Sequence, residues 1–394
     1  MPSTLQASSP AVGRGSRVKL LAISLAALAC TVLALEVPAL LGWVDYRFTI
    51  GLAEHMREPK PYPAHTTITT AHPGDLVTFY GLKDAETRSI SFRTDHLGFR
   101  NESDLERATV VALGDSFVEN AFIPQNELFT TLLARQLGAP VANRSHSGWG
   151  PNHELEALRR FAFPLQPRLV LWVLYEGNDL ADMLRYGGRD VPWSDRLFLT
   201  STYLRLAALV EAIRFGNTHI NYGREGIPPF GSCVVPCSVL PCPRMYFGNL
   251  AGPITLYEEV GFQKIFDLLA LAAAETHDHG GALVVVYAPV ALRVYHDICE
   301  FDEDNAARRS TLNDLPNRVQ TWARSRGVGF VDLTPALTAA ASRGELVYFP
   351  DDTHWSAAGN AVVAQALAEA PAIVHALAAP NRNAAVDASD RSGR

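Results

Sequence analysis

The chain has 394 residues, 48% of them hydrophobic and 19% charged, with a formal net charge of -7. That length holds one large domain with accessories. The acidic balance, with no basic patch interleaved with aromatics, excludes a nucleic-acid surface, and no internal repeat points to a solenoid.

Residues 1–17 are rich in Ser, Pro and Gly and read as a disordered cytoplasmic tail. Leu20 to Leu41 is apolar apart from Glu36, with Pro38 near its end. That run is long enough to cross a bilayer core of about 30 Å. Arg14, Arg17 and Lys19 precede it, which places the amino terminus inside and everything after the span outside. An apolar run beyond the about 7–15 residues of a signal peptide favours an uncleaved anchor over 18–42. The chain is therefore expected to be a single-pass inner-membrane protein, touching the bilayer through 20–41, with an extracytoplasmic or periplasmic domain.

Residues 43–107 are broken by Pro61, Pro63 and Pro73. Thr66 to Thr70, Leu76 to Tyr80 and Ile90 to Arg93 read as short strands of a small β-rich arm. From residue 108 the pattern alternates. Apolar runs of strand length lie at 110–114, 140–143, 169–175, 282–288 and 328–333, and helical patterns at 126–137, 152–162, 258–279, 305–326 and 355–377. Such alternation implies a parallel sheet with helices on both faces, a three-layer α/β/α domain over 108–377. About five strands fit the flavodoxin-like order 2-1-3-4-5. Residues 180–257 exceed what one crossover needs and read as an insertion beside the catalytic face, a candidate substrate lid, with a helix at 201–215. Residues 378–394 read as a disordered tail.

Cys30 lies within the apolar span and reads as an inert apolar residue. Cys233, Cys237, Cys242 and Cys299 lie in the exported part, an even number in an oxidising compartment, which predicts two disulfides of open connectivity. Cys-x3-Cys-x4-Cys with no histidine nearby is a poor zinc pattern, so no metal and no cofactor is expected.

The chemistry sits at strand ends. Gly114-Asp-Ser-Phe117 follows the run Val110 to Leu113, which delivers Ser116 at the carboxyl end of a parallel strand, where open α/β sheets bind their ligands. Ser147-Gly-Trp-Gly-Pro151 follows the second strand and Gly177-Asn-Asp179 the third. Asp351-Asp-Thr-His-Trp355 precedes the last helix. A serine needs a base to become a nucleophile, and His354 is the candidate. His277 and His279 flank Asp278 at a helix end and read as ordinary surface groups. Trp149, Trp193 and Trp355 are candidates for stacking on sugar rings, whereas Trp172 lies within a strand and reads as core.

These four blocks resemble the SGNH hydrolase superfamily, also called GDSL-type esterases, over about residues 94–370. Phe92-Arg-Thr-Asp-His-Leu-Gly-Phe-Arg100 is similar to the segment before the serine block in membrane-anchored bacterial members. The resemblance implies Ser116 as nucleophile and His354 as base. It implies an oxyanion site made by the backbone N–H groups of Ser116 and Gly148 and the side chain of Asn178. It leaves two carboxylates to orient His354. Asp351 has the commoner Asp-x-x-His spacing and is favoured on that ground; Asp352 has the Asp-x-His spacing of the alginate acetyltransferase-like branch. The implied activity is a serine esterase removing acyl groups, O-acetyl above all, from a carbohydrate, envelope glycan or small ester. The alternatives are an O-acetyltransferase using the same residues and a non-catalytic glycan-binding or assembly protein.

Overall fold

The computed structural model describes residues 14–41, 43–44, 59–80, 87–185, 197–199, 202–203, 231–236, 242–254, 256–303 and 305–379. Most of both predicted tails, Cys237, Trp193 and most of 201–215 lie outside the described residues, whereas residues 14–17, expected in the disordered tail, are helical. The chain divides into two compact units, Met1–Leu52 with Asp190–Ala207, and the remainder.

The first unit is built on helix α1 (Arg14–Leu40). Its stretch Val18–Leu40, 23 residues of mean hydropathy 2.3, is long and apolar enough to cross a membrane. Glu36 is buried, and its carboxylate accepts the N–H groups of Phe198 (2.9 Å) and Leu199 (2.8 Å). A carboxylate in an apolar helix is costly unless satisfied, and here two backbone donors satisfy it.

The second unit contains a parallel five-stranded sheet of β3 (Val110–Leu113), β4 (Val141–Asn143), β5 (Leu169–Tyr175), β8 (Ala282–Ala288) and β10 (Gly329–Asp332). Its order is β10-β8-β5-β3-β4, the expected 2-1-3-4-5 arrangement. All seven residues of β5 are buried. Alternation of side chains along each strand sorts them into two cores. Leu169, Leu171, Val173, Val284 and Val286 pack on one face with α4 (Phe129–Leu137), α10 (Thr334–Ser342) and α11 (Ala357–Glu369). Val170, Trp172, Leu174, Val285 and Tyr287 pack on the other with α5 (Pro151–Ala157), α7 (Leu256–Asp278) and α9 (Leu315–Arg326). Truncating a fully buried leucine such as Leu171 to alanine costs about 2–5 kcal/mol, a large share of a typical domain's stability of about 5–15 kcal/mol.

Three helix boundaries differ from expectation. The helix expected over 305–326 begins only at Leu315, with Pro316 in its first turn, where the missing N–H is harmless. The closing helix is two, α11 and α12 (Pro371–Ala378), because Pro371 cannot continue the first. The α5 helix passes into a π-turn at Leu158–Ala162 rather than continuing regularly.

The arm pairs β1 (Thr67–His72) with β2 (Arg88–Arg93) in an antiparallel ribbon. The expected strand at Leu76–Tyr80 is instead a short helix, α2 (Asp75–Tyr80). Within the insertion, β6 (Gly231–Val234) lies between β7 (Arg244–Phe247) and β9 (Glu300–Phe301), both antiparallel to it. Cys233 and Cys299 form a disulfide across 66 residues of sequence, and Cys242 is also disulfide-bonded.

The resembling segment Phe92–Arg100 fastens the arm to the sheet. Asp95 is fully buried, accepts the N–H groups of Leu97 and Phe99 (both 2.9 Å), and pairs with the equally buried Arg144 after β4 (2.8 Å). Losing Asp95 would strand a buried guanidinium, a change of about 3–5 kcal/mol. Arg100 donates to the backbone carbonyls of Glu119, Asn120 and Ile123, which fixes the loop behind Ser116.

Candidate active site

Ser116 opens the four-residue helix α3 (Ser116–Glu119) immediately after β3, and is partly exposed. Asp115 caps the turn by accepting the Phe117 N–H (2.8 Å). Glu119, buried at the far end of α3, accepts the hydroxyl of Tyr62 (2.9 Å) and the N–H of Ser147. One carboxylate therefore ties the Ser116 helix to the turn carrying Gly148. Gly148 itself is exposed and has φ +81°, a conformation that favours glycine. Among the hydrogen bonds of the described residues, none occupies the N–H of Ser116 or of Gly148.

His354 lies on the loop between Tyr348 and α11, its ring between Phe117 (centroids 5.0 Å apart) and Phe122 (4.6 Å). Asn120, at the end of α3, donates to the carbonyl of the adjacent Trp355 (2.9 Å), which couples the serine helix to the histidine loop. The Nδ1 of His354 meets Oδ1 of Asp352 at 2.6 Å. Its Nε2 is buried and makes no hydrogen bond. With Nδ1–H donated to the carboxylate, a neutral ring presents Nε2 as an acceptor.

The carboxylate set against the His354 ring is Asp352, not the Asp351 favoured on spacing. A single intervening residue lets Asp352 Oδ1 also accept the backbone N–H of His354 (2.9 Å), an Asx turn that preorganises both partners. Asp351 points the other way and pairs with Arg88 of the arm, whose guanidinium lies over the Phe349 ring at 4.2 Å.

Charge sets the resting state of this pair. Burial alone would lower the pKa of His354, but Asp352, with help from Asp75 and Asp115, outweighs it and raises the imidazolium to about 9. Burial would raise Asp352, but the facing imidazolium and its hydrogen bonds hold it below the ordinary range. Both directions describe one ion pair at neutral pH.

Asn178 stands partly exposed before helix α6 (Asp179–Arg185). Its Nδ2 donates to Asp182 (2.8 Å) and, at a long 3.4 Å, to Asp115. The longer contact is weak enough to be exchanged for a stronger acceptor. Beneath it lie buried acids that the sequence did not single out: Glu154, Asp179 and Asp182. Glu154 is fully buried, and burial and the charge of Asp115 push its pKa well up.

Asp75 is the other residue missed. Asp75, Asp352 and His354 each place one donor atom within 4.8 Å of the others, the one such group among the described residues. Each of the four carboxylate oxygens already accepts an N–H or O–H: Asp352 from His354 and Asp75, Asp75 from Thr353 twice. Oxygens so engaged suit proton handling better than a cation. Trp149 and Trp355, expected as stacking platforms, are buried in the cores and offer no face to a sugar.

Residues 255–389, which include Asp352 and His354, match the family model "SGNH hydrolase-like domain, acetyltransferase AlgX". Over that stretch the chain is similar to SGNH hydrolase-like domains. A probable alginate O-acetylase AlgJ of Pseudomonas putida is 38% identical over 92 residues, a stretch spanning only 23% of this chain and 23% of that relative. Among solved structures, an acetylxylan esterase mutant from Geobacillus stearothermophilus is 13% identical at a TM-score of 0.37, covering 68% of this chain and 94% of its own. A GDSL-like lipase from Bacteroides thetaiotaomicron is 14% identical at 0.34, covering 69% and 87%. The SGNH-like assignment rests instead on the sheet order, the strand-end blocks and the family match.

Proposed function

We propose that this chain transfers O-acetyl groups on an extracytoplasmic polysaccharide, with a sugar hydroxyl rather than water as the favoured acceptor. The observation that carries the proposal is the Asp352–His354 pair at 2.6 Å, with a buried, unpartnered Nε2, on the strand-end side of an SGNH-like sheet. The Asp-x-His spacing and the acetyltransferase character of the matching family favour transfer over the hydrolysis expected first. The apolar helix before the domain, flanked by cationic residues on its amino-terminal side, supports a single-pass anchor with the domain outside the inner membrane.

In this reading Ser116 Oγ attacks the acetyl carbonyl carbon while His354 Nε2 takes the hydroxyl proton. Asp352 holds the ring and balances the imidazolium. The oxyanion is met by the N–H groups of Ser116 and Gly148 and by Asn178, which gives up its long contact to Asp115. Collapse expels the donor alcohol with the proton from His354. The acceptor hydroxyl then loses its proton to His354 and takes the acetyl group from Ser116, whose oxygen regains that proton as it leaves.

The test is the full chain in nanodiscs with 4-nitrophenyl acetate as donor and a neutral or acidic oligosaccharide as acceptor, read by mass spectrometry. An acetylated oligosaccharide that vanishes with Ser116→Ala supports transfer. Free acetate alone returns the reading to hydrolysis. Absence of both, with no fluorophosphonate labelling of Ser116, leaves the non-catalytic alternative.

A further inference from the structure

We propose that Asp75, on the arm, is a positioning residue for the Asp352–His354 pair, so that the arm belongs to the catalytic machinery. The inference rests on the acyl-transfer reading above and adds a residue outside all four strand-end blocks.

The contact is reciprocal. The Asp75 backbone N–H donates to Asp352 Oδ2 at 2.8 Å, across 277 residues of sequence. In return the Asp75 carboxylate accepts the Thr353 N–H (2.9 Å) and the Thr353 hydroxyl. The orienting carboxylate is thus gripped at Oδ2, the oxygen that the histidine ring does not use. A plain latch between arm and domain would need only backbone contacts somewhere on the loop. This one closes on the atom set that aims His354.

Gly74 makes the approach possible. Its φ is +106°, and a Cβ there would stand 2.5 Å from the carbonyl oxygen of Asp351. Arg88 holds the neighbouring Asp351 away from the histidine, which leaves Asp352 alone to face the ring. The arm therefore grips this loop through Gly74, Asp75 and Arg88.

Asp75 also adds charge. The charged groups facing His354 are Asp352 on its own loop, Asp115 on the turn after β3, and Asp75 on the arm; Phe117 and Phe122 flank the ring with apolar faces. Burial and the charge of Asp352 raise the Asp75 carboxyl to about 6, so it carries substantial negative charge at neutral pH. Asp75→Asn keeps the backbone donor and a carbonyl acceptor but removes that charge. The His354 pKa should then fall, as expected when an anion is taken from beside an imidazolium.

The experiment uses the full chain in nanodiscs with isotope-labelled histidine, the His354 signal being identified by its loss in His354→Gln. Folded Asp75→Asn should titrate His354 lower by about 0.5–2 pH units. The acid limb of fluorophosphonate labelling at Ser116 should move down with it, and kcat should fall about tenfold with KM unchanged. Thr353→Val, which deletes only the hydroxyl donor, should lower kcat while leaving the titration in place. A folded Asp75→Asn protein with wild-type titration and labelling overturns this inference alone. Failure of the wild-type chain to label at Ser116 overturns the functional reading, and this inference with it.

Discussion

The two halves of the site are held in different ways. The serine side, the nucleophile side of the proposed reaction, is local: β3, the Asp115 cap and the short helix α3 place Ser116 within a few residues of its own strand. The histidine side, the base side of the proposed reaction, is remote: His354 sits on a loop that contacts Asp75 and Arg88, more than 250 residues earlier. A strand end in a packed sheet is rigid by construction, whereas a loop must borrow rigidity from what packs on it. The first half should therefore answer to changes close to Ser116 in sequence, and the second also to changes far from His354.

Ser116→Ala is expected to cost on the order of 10³-fold or more in acyl transfer with the melting temperature unchanged, since only binding and oxyanion effects remain. Activity within tenfold of wild type would sink the serine mechanism.

The two aspartates sharpen the contrast within one loop. Asp352→Asn should lower kcat by about 10²–10⁴-fold, because the ring loses its charged orienting partner. Asp351→Asn should stay within about threefold, since a partly exposed ion pair with Arg88 is worth about 0–1 kcal/mol. Steady-state kinetics on both variants decides it, and a larger loss at Asp351 would reverse the assignment.

The pH profile tests the base side as a unit. A general base must be neutral, and Asp352 raises the His354 pKa to about 9. Activity should therefore climb with pH from neutrality toward that value rather than plateau at 7. In Asp352→Asn the residual activity should rise at lower pH. A wild-type acid limb below 6 would contradict the ion pair.

The smallest effect lies under the nucleophile side. Glu154 is an acid whose folded pKa is raised by burial, so its favourable contribution is full below its unfolded pKa and lost as pH rises toward the folded value. Glu154→Gln should raise the melting temperature at pH 8 by about 2–4 °C and by less at pH 5. Equal shifts at both pH values would mean that the carboxyl does not titrate on unfolding.

The same division governs what could be read from the sequence. The strands of the sheet are legible in β-branched runs such as Val284-Val-Val286, whose burial on both faces marks a parallel sheet covered by helices. The place of Ser116 at a strand end was legible because its strand and turn are adjacent to it. Leu76–Tyr80 was misread as a strand, since Val77, Thr78, Phe79 and Tyr80 favour β-structure while the observed helix begins at Asp75. The spacing of Asp351 and Asp352 left both open, and the structure sets Asp352 against His354 and Asp351 against Arg88. Asp75 carries no local signal: nothing near it in the chain announces a partner 277 positions away.

The arm's grip also bears on how the protein can be cut for study. A soluble fragment trimmed to the recognisable motif boundary, near residue 94, would keep every strand of the central sheet. It would discard the Asp75 N–H that donates to Asp352 and the guanidinium that holds Asp351. Such a fragment should fold and yet react poorly at Ser116, and its weakness would be mistaken for a wrong substrate. Fragments beginning before Pro59, with the whole ribbon and α2, retain the complete set of contacts.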